Sequence, residues 1–587
     1  MDSPEQRRKR KRLLKPTKLS PLRHLPPVRS VLYCLCFFLF VYFIFRRQSS
    51  SFQHALELSR FPQIDSLRVF KKLSQFKIED RVSFPDHVLL LISKSSDLSI
   101  GNRLDCVYRS NHSVYSVSGT GFSDVIRRNV LSVDELNDNR LLIRCPLPPV
   151  NYSAPIELRR RGLTIETEQV KRKTLNSWEN LAYEAVLDEN KNTNTNTVVV
   201  FVKGISHRQG KESDPTQFTC HFGFPERPEE QQGKYVVTSR AVNAAQEVVR
   251  CVLPRSIVMH PEKARGIRAT VSFRIPRAHG RAARYLVPSV AKIQSLKVGT
   301  KVEKHALCVC TMLWNQAHSV REWITYHSWL GVEKWFVYDN NSDDEIKTVI
   351  ENLDREGYNV SRHVWPWIKT QEAGFSHCAM RAQTECDWVS FMDVDEFYYL
   401  QYNPISGYPT QGSLRTLVSN FTTSSSIGEI RTSCHSFGPS GLTSRPKQGV
   451  TVGYTCRLQN PERHKSIIRP DALDPTLMNV VHHFHLRNGF TFIDVPQSIA
   501  VINHYKYQVW EVFRAKFYRR VATYVADWKD NQNEGSRDRA PGLGTEAIEP
   551  PDWRLQFCEV WDTGLRDFVL ANLGDVSTGV LPWDRSM

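Results

Sequence analysis

The stretch Trp388-Val389-Ser390-Phe391-Met392-Asp393-Val394-Asp395-Glu396 decides how this chain is read. Its first half is an apolar run of strand length, and its second half is a cluster of carboxylates. In an extended segment residues i and i+2 point the same way, so Asp393 and Asp395 can converge on one point. Paired carboxylates suit a hard divalent cation, which takes oxygen ligands. Such an ion can clamp a diphosphate and neutralise a departing phosphate. Asp-x-Asp is common on solvated loops, so its position carries the weight. Ligands of α/β domains bind at the carboxyl ends of the strands.

The flanking text supplies that context. Ala306-Leu307-Cys308-Val309-Cys310 reads as a buried strand, and Val320, Trp323, Ile324, His327 and Leu330 follow at helical spacing. Trp335-Phe336-Val337-Tyr338 is a second strand, ending in Asp339-Asn340-Asn341-Ser342. A helix over 345–354, a strand near 359–365 and a helix over 371–386 precede the Trp388 run. Strands alternating with helices indicate a parallel α/β sheet. Asp339 offers a carboxylate and turn amides where a nucleotide could sit; an ordinary Asx turn is the plainer reading. Near 506–528 an amphipathic helix carries Tyr507, Trp510, Phe513, Phe517, Val521, Tyr524 and Trp528 on a core-facing stripe.

Upstream, residues 86–300 are β-like, with runs such as Val88–Ile92 and Val198–Val202 broken by polar turns. Two units echo one another, each opening on a Cys-bearing strand and closing on Arg-Cys before a proline. The echo suggests the local disulfides Cys106–Cys145 and Cys220–Cys251. Cys308 and Cys310 lack metal-site spacing and read as structural.

The chain has 587 residues with a formal charge of +17, and 41% of it is hydrophobic. That composition builds cores and excludes a disordered or collagen-like chain. The charge suggests a polyanion partner until it is located. Residues 1–47 hold +10 of it, and the rest of the chain shares +7. The basic tail 1–30 precedes an apolar run at 31–45 closed by Arg46 and Arg47. At ~1.5 Å per residue the run spans about 22 Å, short for a bilayer core of about 27–30 Å. With no small-residue cleavage site, it reads as an uncleaved anchor rather than a signal peptide. The basic flank places the N-terminus in the cytosol and the body in the lumen. Sequons at Asn111, Asn151, Asn340, Asn359 and Asn420 agree, as do 13 cysteines, eleven of them beyond the anchor. The expected organisation is tail 1–30, anchor 31–45, stem 46–85, β-rich module 86–300, transferase domain 301–565 and C-terminal tail 566–587.

His482, His483 and His485 form a His-His-x-His group that could bind zinc, although no nearby Cys or carboxylate completes a zinc spacing. His504, just before a helix, could complete the coordination of an Asp-x-Asp metal. No nucleophile elbow, Walker loop, Rossmann glycine triplet or His-Glu-x-x-His occurs.

The strand, the helix with Asn315 and Glu322 near its start, the strand ending at Asp339 and the Asp393/Asp395 strand end together resemble the GT-A glycosyltransferases. The closer resemblance is to glycosyltransferase family 92, in particular its plant branch of galactan β-1,4-galactosyltransferases. It is carried by Trp365-Pro366-Trp367-Ile368-Lys369-Thr370-Gln371-Glu372-Ala373-Gly374-Phe375, by Phe391–Phe397 and by His435-Ser436-Phe437-Gly438-Pro439-Ser440-Gly441. Further blocks are His464-Lys465-Ser466, Ile502-Asn503-His504-Tyr505-Lys506-Tyr507 and Gly542-Leu543-Gly544-Thr545. The blocks cover about 300–562. The β-rich region resembles the carbohydrate-binding-like module of those plant enzymes.

The resemblance implies inverting transfer of a hexose, galactose from UDP-galactose, with Mn2+ or another divalent ion. Asp339 and Asn315 would contact the nucleotide together with Asp393. Asp393, Asp395 and His504 would hold the metal. Phe437, Gly438, Gly441, His464 and Lys465 would lie near sugar or acceptor. The general base is left among Glu396, Glu462, His483 and His485. The expected partners are a UDP-sugar, an oligo- or polysaccharide acceptor such as β-1,4-galactan, and a membrane. No nucleic acid is expected, and a homodimer is left open. The expected location is the Golgi membrane, single-pass type II, with the catalytic domain lumenal. The competing reading is a non-catalytic lectin-like or scaffold protein of the secretory pathway. A glycan on Asn340 would block the nucleotide turn, so Asn340 is expected to be unmodified, with Asn111, Asn151, Asn359 and Asn420 as acceptors.

Overall fold

The computed structural model describes residues 78–94, 104–110, 125–137, 139–153, 157–160, 175–188, 196–205, 212–223, 237–259, 266–275, 283–296, 303–402, 407–424, 426–480, 483–524 and 548–584. The basic tail, the 31–45 run, Asn111, His482, Trp528 and the Gly542–Thr545 block lie outside the described residues. Among the described residues no helix is long and apolar enough to cross a membrane. Ser74–Met587 forms one compact unit.

Among the described residues the N-terminal part of that unit is β-rich, with only short helical turns at Pro215–Gln217 and Arg255–Val258. The first strand, Ile78–Ser83, opens inside the stretch read as stem. It belongs to a five-stranded sheet with His87–Ser93 at its centre. A longer sheet runs through Thr197–Lys203 and Leu181–Asp188. The disulfide Cys106–Cys145 ties strand Leu104–Arg109 to strand Arg140–Pro146. Cys220–Cys251 joins two strands separated by Val237–Ala245, yet its Cα atoms are 6.0 Å apart. Two strand spacings would be about 9.5 Å in a flat sheet. The sheet therefore folds over, at the bulge between Ala241 and Asn243.

The unbroken apolar runs have a physical reason. Val88, Leu90 and Ile92 fill a core inside the β module, whereas Leu89 and Leu91 face a second core. Val198, Val200 and Val202 likewise face inward, while Val199 and Phe201 join Leu89 and Leu91. That second core also contains Trp365, Trp367, Phe375 and Phe391 of the following domain. Both strand faces are buried, so neither shows polar alternation. Trp178 stacks on Trp367 with ring centroids 5.5 Å apart.

The C-terminal domain is α/β with a mixed sheet. Its strands are β1 His305–Leu313, β2 Lys334–Asp339, β3 Val360–Val364, β4 Cys386–Phe391, β5 Glu396–Leu400, β6 Ile427–Ser436, β7 Arg463–Ile468, β8 Thr491–Asp494 and β9 Ala500–His504. Their order is β3-β2-β1-β4-β7-β6-β9-β5, with β8 beside β6. The first four are parallel, and β7 runs against both β4 and β6. Among the described residues the helices longer than one turn are α1 Ala317–Trp329, α2 Ile346–Arg355, α3 Gln371–Glu385, α4 Ser413–Thr422, α5 Trp510–Tyr524 and α6 Gly564–Asn572. Cys308–Cys386 and Cys310–Cys378 staple β1 to β4 and to α3, and Cys456–Cys558 closes a third loop. Among the described residues Cys434 is the free cysteine, and it is buried.

Two boundaries differ from the sequence reading. Helix α5 begins at Trp510, not near 506, because the preceding backbone is used elsewhere: Tyr505 N donates to Asp395 O and Tyr507 N to Phe437 O. Residues 566–587 are not a separate tail, since Phe568, Val569 and Leu581 are buried in the core of the α/β domain.

Candidate active site

Parallel strands β1, β2 and β4 end on one edge, and their last residues open the site. Asp393 follows β4 and is partly exposed. Asp395 is mostly enclosed and pairs with Lys516 of α5. His504, the last residue of β9, places Nε2 3.6 Å from Asp395 Oδ1, too long for a hydrogen bond. That nitrogen is buried and has no hydrogen-bond partner. An orphaned imidazole nitrogen beside the Asp395 carboxylate fits a divalent cation, with Asp393 two residues away on the same turn. Burial works to raise the Asp395 carboxyl, but the Lys516 ammonium and His504 outweigh it and hold it below the ordinary range. Burial lowers His504 to about 4, so it is neutral, the ligating form.

Glu396 does not fit the base role. It has no exposed surface, its Oε2 accepts from Asp393 N at 2.9 Å, and its Oε1 lies 2.6 Å from Lys465 Nζ. It braces the Asp393–Asp395 turn from below. Burial, reinforced by Asp393 and Asp395 against the opposing Lys465, pushes its carboxyl up to about 7. Lys465 is buried, 3.8 Å from Asp393 Oδ2, and reaches the site through that turn.

Glu462 is the base candidate with access. Its side chain is 33% exposed, Lys506 Nζ lies 3.1 Å from Oε2, and the Ser436 hydroxyl donates to the same oxygen. Burial would raise its carboxyl, but Lys506 and Ser436 hold it below the usual value, so it is an ionised acceptor of protons. His483 stands instead with His464 and Glu429, and His485 is exposed.

The Phe437–Gly441 block acts through its backbone. Phe437 is buried in the core against Tyr505, so its ring does not meet a sugar; its N–H donates to His504 O at 2.8 Å. A side chain on Gly438 would place a Cβ 2.6 Å from Gln556 O. Gly441 has φ +79°, a left-handed conformation that favours glycine.

Asp339 is buried, and both its oxygens are engaged. Oδ1 accepts from Ser342 N at 2.9 Å, forming a turn, and Oδ2 accepts from Arg362 Nε at 2.8 Å. Arg362 also reaches Asp134 of the β module, at 2.9 Å. Arg144 of that module donates to Asn341 O at 3.2 Å. Asn315 joins the same loop, its N–H donating to Ser342 Oγ at 2.9 Å. Asp339 therefore builds a turn through a bond to the N–H three residues on, and that turn is propped from the β module. Asn340 Nδ2 donates to Trp365 O at 2.7 Å and to Trp367 O at 3.2 Å, which leaves no room for a glycan on that nitrogen.

Sequence reasoning missed Lys516, Arg362 and Ser436. Lys516 sits beside Phe517 on α5, and reading that helix as a core stripe hid its charged face. Arg362 and its partner Asp134 are 228 residues apart in sequence, so no local pattern links them.

The glycosyltransferase family 92 model matches residues 303–540. A glycosyltransferase family 92 protein of Ricinus communis is 52% identical over 595 residues, covering 99% of this chain and 99% of its own. One of Arabidopsis thaliana is 54% identical over 514 residues, covering 86% of this chain and 84% of its own. Among solved structures, a mannosyltransferase from Pyrobaculum calidifontis in complex with GDP-Man and Mn2+ is similar at 11% identity and a TM-score of 0.25, over 41% of this chain and 67% of that one. So distant a likeness carries no argument about the site. The two plant relatives, alike over most or all of their length, place the chain: it belongs to glycosyltransferase family 92.

Proposed function

We propose that the chain transfers a hexose from a UDP-sugar, with inversion, to a polysaccharide acceptor, through a GT-A-like site that needs a divalent ion. The observation that supports this reading is the orphaned His504 Nε2 lying 3.6 Å from Asp395 Oδ1, beside the Asp393–Asp395 turn at the carboxyl end of β4. A divalent ion held by these three groups would neutralise the departing diphosphate. Lys516 shares Asp395 and adds positive charge on the same side. Glu462, ionised and half-buried, accepts the proton of the acceptor hydroxyl. Glu396 and Lys465 keep the Asp393–Asp395 turn in place. The turn at Asp339–Ser342 supplies the nucleotide end of the cleft.

Galactose as the sugar and a β-1,4-galactan acceptor rest on the sequence blocks shared with the plant galactosyltransferases. A Golgi membrane location, type II, rests on the basic tail and the 31–45 run. Calorimetry of UDP binding with and without Mn2+ tests the reading against a lectin-like scaffold. Manganese-dependent UDP binding that is lost in Asp395→Asn supports the transferase. Absence of UDP binding by the folded chain refutes it.

A further inference from the structure

The histidine group that the proposed reaction does not use has partners that the sequence separates. On β7, Lys465 points toward Glu396, so its neighbours His464 and Ser466 point to the other face of the sheet. Glu429 and Arg431 of β6 lie on that face, with Arg431 opposite Ser466. His483, on a two-residue strand anchored by Phe484 against Phe391, completes the cluster. One ligand atom from each of Glu429, His464 and His483 lies within 4.8 Å of the others. The two imidazole centroids are 4.1 Å apart.

We propose that Glu429, His464 and His483 form a second divalent-cation site, suited to an imidazole-preferring ion such as Zn2+, separate from the Asp393/Asp395 site. Two imidazoles and one carboxylate are a sufficient protein ligand set for zinc with one open position. Imidazole selects such ions over magnesium or calcium. His464 Nε2 is buried and has no hydrogen-bond partner, a cost that a bound metal removes. The surrounding contacts orient the ligands. Ser466 Oγ donates to Glu429 Oε1 at 2.5 Å and lies 3.0 Å from His483 Nδ1, tying the two side chains together.

Arg431 opposes the site, since its guanidinium lies 2.9 Å from Glu429 Oε2, but it is turned over the Phe492 ring. Its charge makes micromolar rather than nanomolar affinity the expectation. Donors around a tetrahedral zinc stand about 3.3 Å apart, so the side chains must close by roughly an ångström on binding.

The test uses the full-length chain carrying Asp393→Asn and Asp395→Asn, stripped with a chelator, titrated with Co2+ and read by its visible d–d bands. The expected result is one Co2+ per chain, displaced by Zn2+. Adding His464→Gln or His483→Gln should weaken binding at least about tenfold with an unchanged melting transition. A missing stoichiometric cobalt spectrum overturns the proposal, as does unchanged affinity in a folded histidine variant. Should both variants fail to fold, zinc protection of His464 and His483 from diethyl pyrocarbonate decides, and equal labelling with and without zinc overturns the site.

Discussion

Removing Arg362 should cost more than removing its more exposed partner, Asp134. Its guanidinium holds Asp339, which is 1% exposed, at 2.6–2.8 Å, and Asp134, which is 15% exposed, at 2.9 Å. Arg362→Ala leaves the Asp339 carboxylate buried with only the Ser342 N–H, and breaking a buried pair in this way costs about 3–4 kcal/mol. Asp134→Asn leaves Arg362 its stronger contact and a neutral acceptor in place of a half-screened charge, so about 1 kcal/mol is expected. At roughly 2 cal/mol/K per residue, a cooperative unit of about 500 residues has an unfolding entropy near 1 kcal/mol/K. The two substitutions should then lower the melting temperature by about 3–4 °C and about 1 °C. Calorimetry of the full-length chain measures both, and the KM for the UDP-sugar gives a second readout, expected to rise in Arg362→Ala more than kcat falls. If Asp134→Asn equals or exceeds Arg362→Ala, or if neither moves the melting temperature, the bridge does not support the turn.

Three further outcomes follow from the geometry. Gly438→Ala would push a Cβ to 2.6 Å from Gln556 O, a backbone atom, so the 437–441 loop must shift; a loss of about 2 kcal/mol in stability and a fall in transferase activity are expected by thermal melt and assay. Burial lowers His327 and His377 to about 3, so both are neutral in the fold: the stability they provide is complete above about pH 6.5, their unfolded value, and drains as pH falls toward 3. Burial raises Glu184 and Glu322 to about 7, which acts in the opposite sense between about pH 4.5 and 7, so a melting-temperature profile should stay shallow there and drop steeply below about pH 4.5. Glycopeptide mapping of the chain expressed through a secretory pathway should find Asn340 unoccupied and the exposed Asn420 available; occupancy of Asn340 would contradict the two hydrogen bonds of its side-chain amide.

The α/β order of the C-terminal domain was legible because its elements obey local rules: apolar runs of strand length, helical spacing between them, and polar turns at the strand ends. The place of Asp393 and Asp395 just past a buried strand was legible for the same reason, since position after a strand is a property of a short segment. His504 could be joined to them only as a candidate, because the pairing of β9 with β5, which sets His504 opposite Glu396, spans 108 residues. The role of Glu396 was misjudged because sequence shows a carboxylate but not its burial. Phe437 was misjudged in the same way: the motif has a function, but its ring belongs to the core and its backbone to the site. The closeness of the β module to the α/β domain was present in Val88–Ile92 and Val198–Val202, whose missing alternation signals two buried faces. What that text cannot show is which partner covers the second face, here Trp365 and Trp367.

The most direct test of the proposed chemistry is sugar transfer itself. The full-length chain is incubated with a panel of UDP-sugars and a galactan oligosaccharide, with Mn2+ or with chelator, beside Asp395→Asn. Transfer from one UDP-sugar, abolished by chelator and lowered at least about a hundredfold in Asp395→Asn, is the predicted result. Robust transfer in chelator, or full activity in Asp395→Asn, would contradict it.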